Sequence, residues 1–179
     1  AKAIVDYGIN SEDTVLGITA SSSTPFVLGA LEKAKEIGAM TGLLLSNNPP
    51  KLEYVNYIIS IIVGPEVITG STRMKAGTAT KLVLNMITTT LMIKLNKTYG
   101  NLMVDLKASN EKLWDRGTRI IQHLTDLNYD DSLELLQSAD GEVKTAVVME
   151  KLKMEAGDTR EKLNENKGSL RKVLDGALS

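Results

Sequence analysis

Three short apolar runs, each followed by a polar or glycine-containing break, mark the first third of the chain. The runs are "TVLGIT" at 14–19, "MTGLLLS" at 40–46, which "NNPP" at 47–50 ends, and "YIISIIV" at 57–63. Apolar residues at nearly every position are typical of strands covered on both faces. A helical pattern from Pro25 to about Ile37, ended by Gly38, separates the first two runs. Strand, helix, strand, short crossover and strand together predict an α/β fold with a parallel sheet.

The remainder of the chain is predicted to be helical. The segment "GPEVITGSTRMKAGTATKLVLNMITTTLMIKLN" at 64–96 predicts a loop and then a long helix. Its second half is apolar over most of its circumference, so we expect a core helix or an oligomer interface. "SNEKLWDRGTRIIQHL" at 109–124 is amphipathic, with Ser109 or Asn110 as N-cap. Four short helical patterns from Asn128 onwards, separated by Gly or Asp, predict a small helical module.

Charge and composition narrow the range of partners. The net charge is −1, which gives no indication of a nucleic-acid partner. The chain has no cysteine and one histidine, His123, so one chain cannot build a His/Cys metal site. The absence of cysteine fits a reducing compartment, and we expect a cytoplasmic protein. The most apolar stretch, between Lys81 and Lys94, is too short to span a bilayer, so no membrane partner is expected.

Four adjacent hydroxyl side chains follow the first predicted strand, in "ASSSTP" at 20–25. In an open parallel sheet, ligands bind where strands lead into helices at their carboxyl ends. The unpaired N–H groups of a helix N-terminus, with Ser21, Ser22, Ser23 and Thr24 added, would form an anion site that needs no lysine. The alternative is an ordinary N-cap, provided by Thr24 or Ser23, before Pro25. A cap needs only one hydroxyl, and three are left over.

A second hydroxyl-rich helix start lies in "GPEVITGSTRMKAGTATK" at 64–81. Ser71 and Thr72 precede the long helix, Arg73 and Lys75 add positive charge, and Glu66 lies in a Gly-Pro turn beside them. The alternative is a capped helix with a solvated basic first turn, although positive charge there opposes the helix dipole. Two such helix starts in one parallel sheet indicate an anionic small molecule, for which a sugar phosphate is a natural choice.

These stretches resemble one known family. "GITASSSTPFVLGALEKAKEIGA", "GPEVITGSTRMKAGTATKLVLNMITTTLMIK" and "GNLMVDLKASNEKL" are similar to the N-acetylmuramic acid 6-phosphate etherases, relatives of the glucokinase regulatory protein with the sugar isomerase (SIS) fold. The resemblance covers nearly the whole chain. It implies the later part of a SIS domain at 1–100, a connecting helix at 101–127 and a ubiquitin-associated-like helical bundle at 128–179.

The resemblance also implies an activity. Etherases cleave the lactyl ether of N-acetylmuramic acid 6-phosphate, giving N-acetylglucosamine 6-phosphate and D-lactate in the recycling of cell-wall sugars. The implied mechanism removes the C2 proton, eliminates lactate to leave an unsaturated sugar and then adds water, with two glutamates as base and acid. No metal or organic cofactor is implied, the partner is a phosphorylated amino sugar, and family members are homodimers.

The family's binding residues carry over only where the motifs match. Ser21 and Thr24 fall on a hydroxyl loop that contacts the sugar phosphate, and the residues of the later motif are Ser71, Thr72 and Lys75. Glu66 matches an acidic position close to the site, so we expect it among the substrate-binding residues, and it is a weak catalytic candidate. The family usually has "ASGRTP" where this chain has "ASSSTP", so Ser22 replaces a glycine and Ser23 an arginine. The missing arginine removes a charge-assisted contact.

A larger departure concerns what precedes the matched region. The family's first phosphate loop and both catalytic glutamates lie upstream of residue 1, and "AKAIVDYG" at 1–8 resembles the last turns of a helix ended by Gly8. We therefore expect an incomplete sheet whose exposed edge pairs with the missing half or with another chain. Three functions follow as alternatives: part of a lyase, a non-catalytic sugar-phosphate-binding regulatory module, or a structural remnant.

Overall fold

The computed structural model describes residues 1–49 and 51–176, and the chain forms two compact units, Ala1–Ile87 and Thr88–Ser179. Pro50, the last residue of the predicted "NNPP" break, and the last three residues of the predicted helical bundle lie outside the described residues. Across 1–49 and 51–176, every helix is too short or too polar to cross a bilayer.

The first unit is built on a three-stranded parallel sheet. Its elements are α1 (Lys2–Asp6), β1 (Thr14–Thr19), α2 (Pro25–Ile37), β2 (Met40–Leu45) and β3 (Tyr57–Ser60). The strands lie in the order β1-β2-β3, and both pairs are parallel. The predicted α/β fold with a parallel sheet is therefore confirmed, although β3 ends three residues before the predicted run does.

Helix α2 begins and ends where local signals predict. Thr24 is the N-cap residue and Pro25 occupies the first turn, where a missing N–H costs nothing. Gly38 ends the helix with φ of 93°, a left-handed conformation that favours glycine. The first strand leads into this helix through residues 20–24, which places the hydroxyl side chains at the carboxyl edge of the sheet.

Packing between α2 and the sheet holds that edge in place. Leu31 of α2 is fully buried and forms one apolar cluster with Leu43 and Leu45 of β2. A Cβ on Gly17 would lie 2.6 Å from Cγ1 of Val27, so the glycine lets α2 approach β1 closely. These contacts position the start of α2 relative to the end of β1.

Only the middle strand is covered on both faces. Residues 41–45 of β2 are buried, but β1 and β3 are partly exposed, as at Ile18, Tyr57 and Ile58. The expectation that all three strands are covered on both faces is therefore wrong for β1 and β3. They are the outer strands of the sheet, and each has a neighbouring strand on one side only within the described residues.

The predicted long helix is α3 (Lys75–Lys94), and it is exposed in this chain. Ala76 is its buried residue. Its large exposed apolar side chains are Leu82, Met86, Ile87, Leu91, Met92 and Ile93. This exposure fits the predicted oligomer interface better than the predicted core helix, since burying such side chains is favourable.

Within the described residues, the second unit contains the end of α3, a short hairpin and five further helices. The hairpin strands are β4 (Thr98–Tyr99) and β5 (Leu102–Met103), and the helices are α4 (Glu111–Leu124), α5 (Tyr129–Ser138), α6 (Val143–Leu152), α7 (Ala156–Glu165) and α8 (Leu170–Asp175). The four predicted helical patterns after Asn128 are confirmed. The Oδ1 atom of Asn110 accepts the N–H of Leu113 at 3.0 Å, which confirms Asn110 as the cap of α4.

A single apolar core joins the helices of the second unit. Ile121 of α4, Leu136 of α5, Val147 of α6 and Val173 of α8 are all at least 99% buried in it. Helix α4 therefore packs within this unit. The compact units divide inside α3.

Candidate functional site

The hydroxyl loop, residues 20–25, connects the carboxyl end of β1 to the first turn of α2. Oγ1 of Thr24 lies 2.6 Å from Oγ1 of Thr19 and 3.3 Å from Oγ of Ser21. Ser22 is half-buried and Ser23 is exposed. The structure thus gathers hydroxyl groups at this edge of the sheet, and the loop residues remain accessible to a ligand.

None of these hydroxyl groups is committed to capping α2. Thr24 has the backbone conformation of an N-cap, yet its side chain makes no capping hydrogen bond. Pro25 has no N–H, and the N–H groups of Phe26 and Val27 have no intrahelical acceptor because they belong to the first turn. The N-cap alternative requires a hydroxyl bonded to one of these groups. The Thr24 hydroxyl makes no such hydrogen bond, which favours the anion-binding alternative.

The second hydroxyl-rich segment is arranged differently, because a carboxylate caps its helix. The Oε1 atom of Glu66 accepts the N–H of Ala76 at 3.0 Å, and its Oε2 atom accepts the N–H of Lys75 at 3.1 Å. These N–H groups, that of Ala76 first, hold the pKa of Glu66 below its usual range. An ionised carboxylate with both oxygens engaged is suited to a structural cap rather than to carrying protons.

The other predicted residues of this segment surround the cap. The ammonium of Lys75 donates to the carbonyl oxygen of Pro65 at 2.8 Å. Ser71 and Arg73 line a cavity of about 170 Å³ together with Glu66. Thr72 is exposed. The structure therefore brings Glu66, Ser71, Arg73 and Lys75 together, while Lys75 is turned towards the backbone.

Both segments lie at the same edge of the sheet. The hydroxyl loop follows β1, and the capped segment follows β3, with β2 between them. Since neighbouring strands lie about 4.8 Å apart, the ends of β1 and β3 are separated by roughly 10 Å. No hydrogen bond joins the two segments within the described part of the chain, and a ligand that contacts both would have to span the end of β2.

Polar residues follow β2, between the ends of β1 and β3. From the sequence, Ser46 was assigned to the apolar run 40–46, and Asn47 to the break after it. The amide N–H of Ser46 donates to the carbonyl of Ala20 in the hydroxyl loop at 3.3 Å. The Oγ atom of Ser46 is buried without a hydrogen-bond partner among the described residues. Oγ of Ser60, at the end of β3, donates to the carbonyl of Asn47 at 2.8 Å. The sequence signal that could have identified these residues is the presence of polar side chains directly after an apolar run.

The cap formed by Glu66 makes the first turn of α3 sensitive to acid. A carboxyl whose pKa is lowered on folding stabilises the fold above its unfolded-state pKa, and this stabilisation is lost as the pH falls through the folded-state pKa. We expect the hydrogen-exchange protection of the Lys75 and Ala76 amides to fall as the pH drops below the ordinary value of 4.5.

The neutral cap of α4 provides the matched control for that measurement. Asn110 has no titrating group, so the protection factor at Leu113 is expected to change far less than those of Lys75 and Ala76 over the same pH range. In the Glu66→Gln variant the amides of Lys75 and Ala76 are expected to lose their pH dependence. An equal response at α3 and α4 in the unchanged chain would contradict the role of the Glu66 carboxylate.

No group of three or more His, Asp or Glu side chains is placed to hold a metal ion anywhere in 1–49 or 51–176. The hydrogen-bond donors at this edge of the sheet are hydroxyl groups, backbone N–H groups, Lys75 and Arg73. Such a set binds and orients an anion.

Comparison with known proteins gives two kinds of match, which cover different shares of the chain. The family described as the C-terminal lid domain of glucokinase regulatory protein matches residues 100–148. Proteins named N-acetylmuramic acid 6-phosphate etherase match far more of the chain. That of Bacillus pumilus is 47% identical over 172 residues, which are 96% of this chain and 57% of the relative.

Two further etherases show the same extent of similarity. That of Staphylococcus saprophyticus is 47% identical over 167 residues, 93% of this chain and 57% of its own length. That of Clostridium beijerinckii is 48% identical over 167 residues, 93% of this chain and 55% of its own length. The chain is thus similar to these proteins over almost its whole length, and it spans a little more than half of theirs.

Proposed function

We propose that this chain is part of an N-acetylmuramic acid 6-phosphate etherase, a lyase that releases D-lactate and N-acetylglucosamine 6-phosphate from its substrate. The observation that supports this most strongly is the 47% identity to the Bacillus pumilus etherase over 96% of the chain. The parallel sheet with hydroxyl groups at its carboxyl edge is consistent with a partial SIS domain. The reaction belongs to the breakdown of cell-wall amino sugars, in the cytoplasm.

In the proposed reaction, a base removes the proton at C2 of the sugar and the lactyl ether bond breaks. The ether oxygen leaves with lactate, an unsaturated sugar remains, and addition of water gives the product. We place the two proton-carrying glutamates in the part of the relatives that the chain does not match. The contribution of this chain is then to hold the phosphorylated sugar through residues of both segments: Ser21, Ser22, Ser23, Thr24, Ser71, Thr72 and Lys75.

The proposed enzyme works as a homodimer, and the exposed apolar side chains of α3 support an interface between copies. Six large apolar residues of that helix, from Leu82 to Ile93, are between 39% and 59% exposed. Contiguous apolar surface of this kind is characteristic of interaction sites rather than of free protein surface.

The assay that tests the proposal is the release of D-lactate from N-acetylmuramic acid 6-phosphate. We expect none from residues 1–179 alone, because the only acidic group of the candidate site, Glu66, is held as a cap. The Bacillus pumilus etherase is the positive control. Lactate release by the isolated chain would show that it contains its own acid and base, and Glu66→Gln would then be the first variant to assay.

A second candidate is a sugar-phosphate-binding regulatory module without turnover. The match of residues 100–148 to the lid domain of the glucokinase regulatory protein supports it, as does the engaged carboxylate of Glu66. Titration calorimetry with N-acetylglucosamine 6-phosphate, together with the lactate assay on the longest natural form of the protein, separates the two candidates. Lactate release supports the etherase, whereas binding without release supports the module.

A further inference from the structure

We propose that the second unit holds a binding site for a small hydroxylated carboxylate, formed by the segment 104–107, the start of α6 and helix α7. A cavity of about 390 Å³ lies there, within the size range of small-molecule sites. All of its lining residues belong to the second unit, whereas the residues proposed to bind the etherase substrate belong to the first. The inference therefore goes beyond the proposed reaction.

Part of the cavity lining is apolar. Val104, Leu106 and Leu163 line it, and each is more than 90% buried. Such a surface accommodates the C–H face of a ring or a methyl group, because contact there removes apolar area from water. Charged side chains line the rest of the cavity, so a ligand with one apolar face and several polar groups matches its lining.

Two ionised carboxylates supply hydrogen-bond acceptors. Oδ1 of Asp105 lies 2.7 Å from Nζ of Lys144, and Asp105 also forms an ion pair with Lys97. Oε2 of Glu142 accepts a hydrogen bond from Nε of Arg160 at 2.8 Å. Burial raises the pKa of each carboxyl, but these cationic partners outweigh it and hold both pKa values below their usual range. Each carboxylate oxygen has more than one lone pair, so hydroxyl groups of a ligand can donate to them.

Two cationic side chains of the cavity, Lys107 and Arg160, have N–H groups that can donate to a ligand. Nζ of Lys107 lies 3.6 Å from Oε1 of Glu142, and its side chain is 69% exposed, so this pair is loose. Arg160 donates through Nε and Nη2 to its protein partners, which leaves the Nη1 group. Asn164 adds a side-chain amide. Lys107 and Arg160 together can therefore hold one carboxylate by charge-assisted hydrogen bonds.

The balance of charge selects a monoanion. Three cationic side chains, Lys107, Lys144 and Arg160, and two carboxylates, Asp105 and Glu142, line the cavity, which leaves one net positive charge. A phosphate dianion would exceed that charge and would face the two carboxylates. A single carboxylate neutralises it, and hydroxyl groups elsewhere on the ligand satisfy Asp105 and Glu142.

The test uses the whole chain, labelled with ¹⁵N, and two matched probes. N-acetylmuramic acid carries hydroxyl groups and one carboxylate but no phosphate, and N-acetylglucosamine lacks only the lactyl group. We expect N-acetylmuramic acid to shift the amide resonances of Lys107, Thr145 and Asn164 with a dissociation constant of about 1 mM or lower. N-acetylglucosamine is expected to bind at least about tenfold more weakly, because it has no carboxylate.

Variants locate the binding further. Lys107→Ala is expected to weaken binding about tenfold, and since this side chain is largely exposed the fold is retained. Lys112→Ala, at an exposed lysine of the same unit outside the cavity, is expected to leave the affinity unchanged. Equal effects of the two substitutions would indicate non-specific attraction and would overturn the proposal.

The position of the shifted resonances separates this inference from the proposed function. Shifts confined to residues 20–25 would place the ligand in the first unit, which overturns the site in the second unit and leaves the etherase proposal intact. No shift in either unit at 10 mM ligand, about ten times the expected dissociation constant, would also overturn it. The etherase proposal is judged separately by lactate release.

Discussion

Replacing Leu31 by alanine is expected to lower the free energy of unfolding by about 3 kcal/mol. Leu31 is fully buried between α2 and the sheet, in contact with the cluster that contains Leu43 and Leu45. Shortening it removes apolar burial and leaves a cavity that surrounding side chains fill only partly. Because Leu31 fixes α2 against the strands, the hydroxyl loop at the start of that helix is expected to loosen as well.

Urea unfolding followed by circular dichroism measures the first effect. Hydrogen exchange at Leu28, whose N–H donates to the carbonyl of Thr24 at 3.1 Å, measures the second. Met40→Ala is the control, since Met40 begins β2 but is 49% exposed, and its loss is expected to change stability by no more than about 0.5 kcal/mol. Equal losses in the two variants would mean that α2 is not held to the sheet through Leu31.

Removing two hydroxyl groups from the loop, in the double variant Ser21→Ala with Thr24→Val, is expected to weaken binding of N-acetylglucosamine 6-phosphate about a hundredfold. Hydrogen bonds to a charged group contribute about 1.5–3 kcal/mol each, so two of them account for at least this much. The fold is expected to persist, because the Thr24 side chain does not cap α2 and valine has nearly the same shape.

Calorimetric titration of the variant and of the unchanged chain gives the comparison. Ser138→Ala, which removes an exposed hydroxyl from α5 in the second unit, is the matched control and is expected to bind as the unchanged chain does. An affinity of the double variant within a factor of about three of the unchanged chain would remove Ser21 and Thr24 from the binding site.

Local signals in the sequence determine most of the first unit. Pro25 and Gly38 mark the limits of α2 because each has a backbone preference that depends on no other part of the chain. Apolar runs identify β1 and β2 for the same reason. By contrast, the hairpin at 98–103 was not predicted, since its strands have only two residues each and the turn at Gly100 is its main signal.

The cap of α3 shows what local reasoning misses. Ser71 and Thr72 stand just before the helix and are the residue types that usually cap, yet Glu66, nine residues before Lys75, takes that place. Whether a distant side chain reaches a helix end depends on how the intervening loop folds, which no short pattern encodes. The exposure of β1 and β3 is a tertiary property of the same kind. The hydroxyl loop was predicted from the sequence. The position of Ser46 beside that loop follows only from the pairing of β1 with β2.

The carboxylate of Glu66 also changes what any anion meets at α3. This carboxylate competes with free anions for the N–H groups at the start of α3. Because the chain attaches it to that helix, its effective concentration there is on the order of millimolar. Buffer anions at lower concentration are therefore displaced by the chain itself, whereas a ligand with several simultaneous contacts can prevail. An anion therefore binds at the N-terminus of α3 only if its own contacts there are stronger than those of the Glu66 carboxylate.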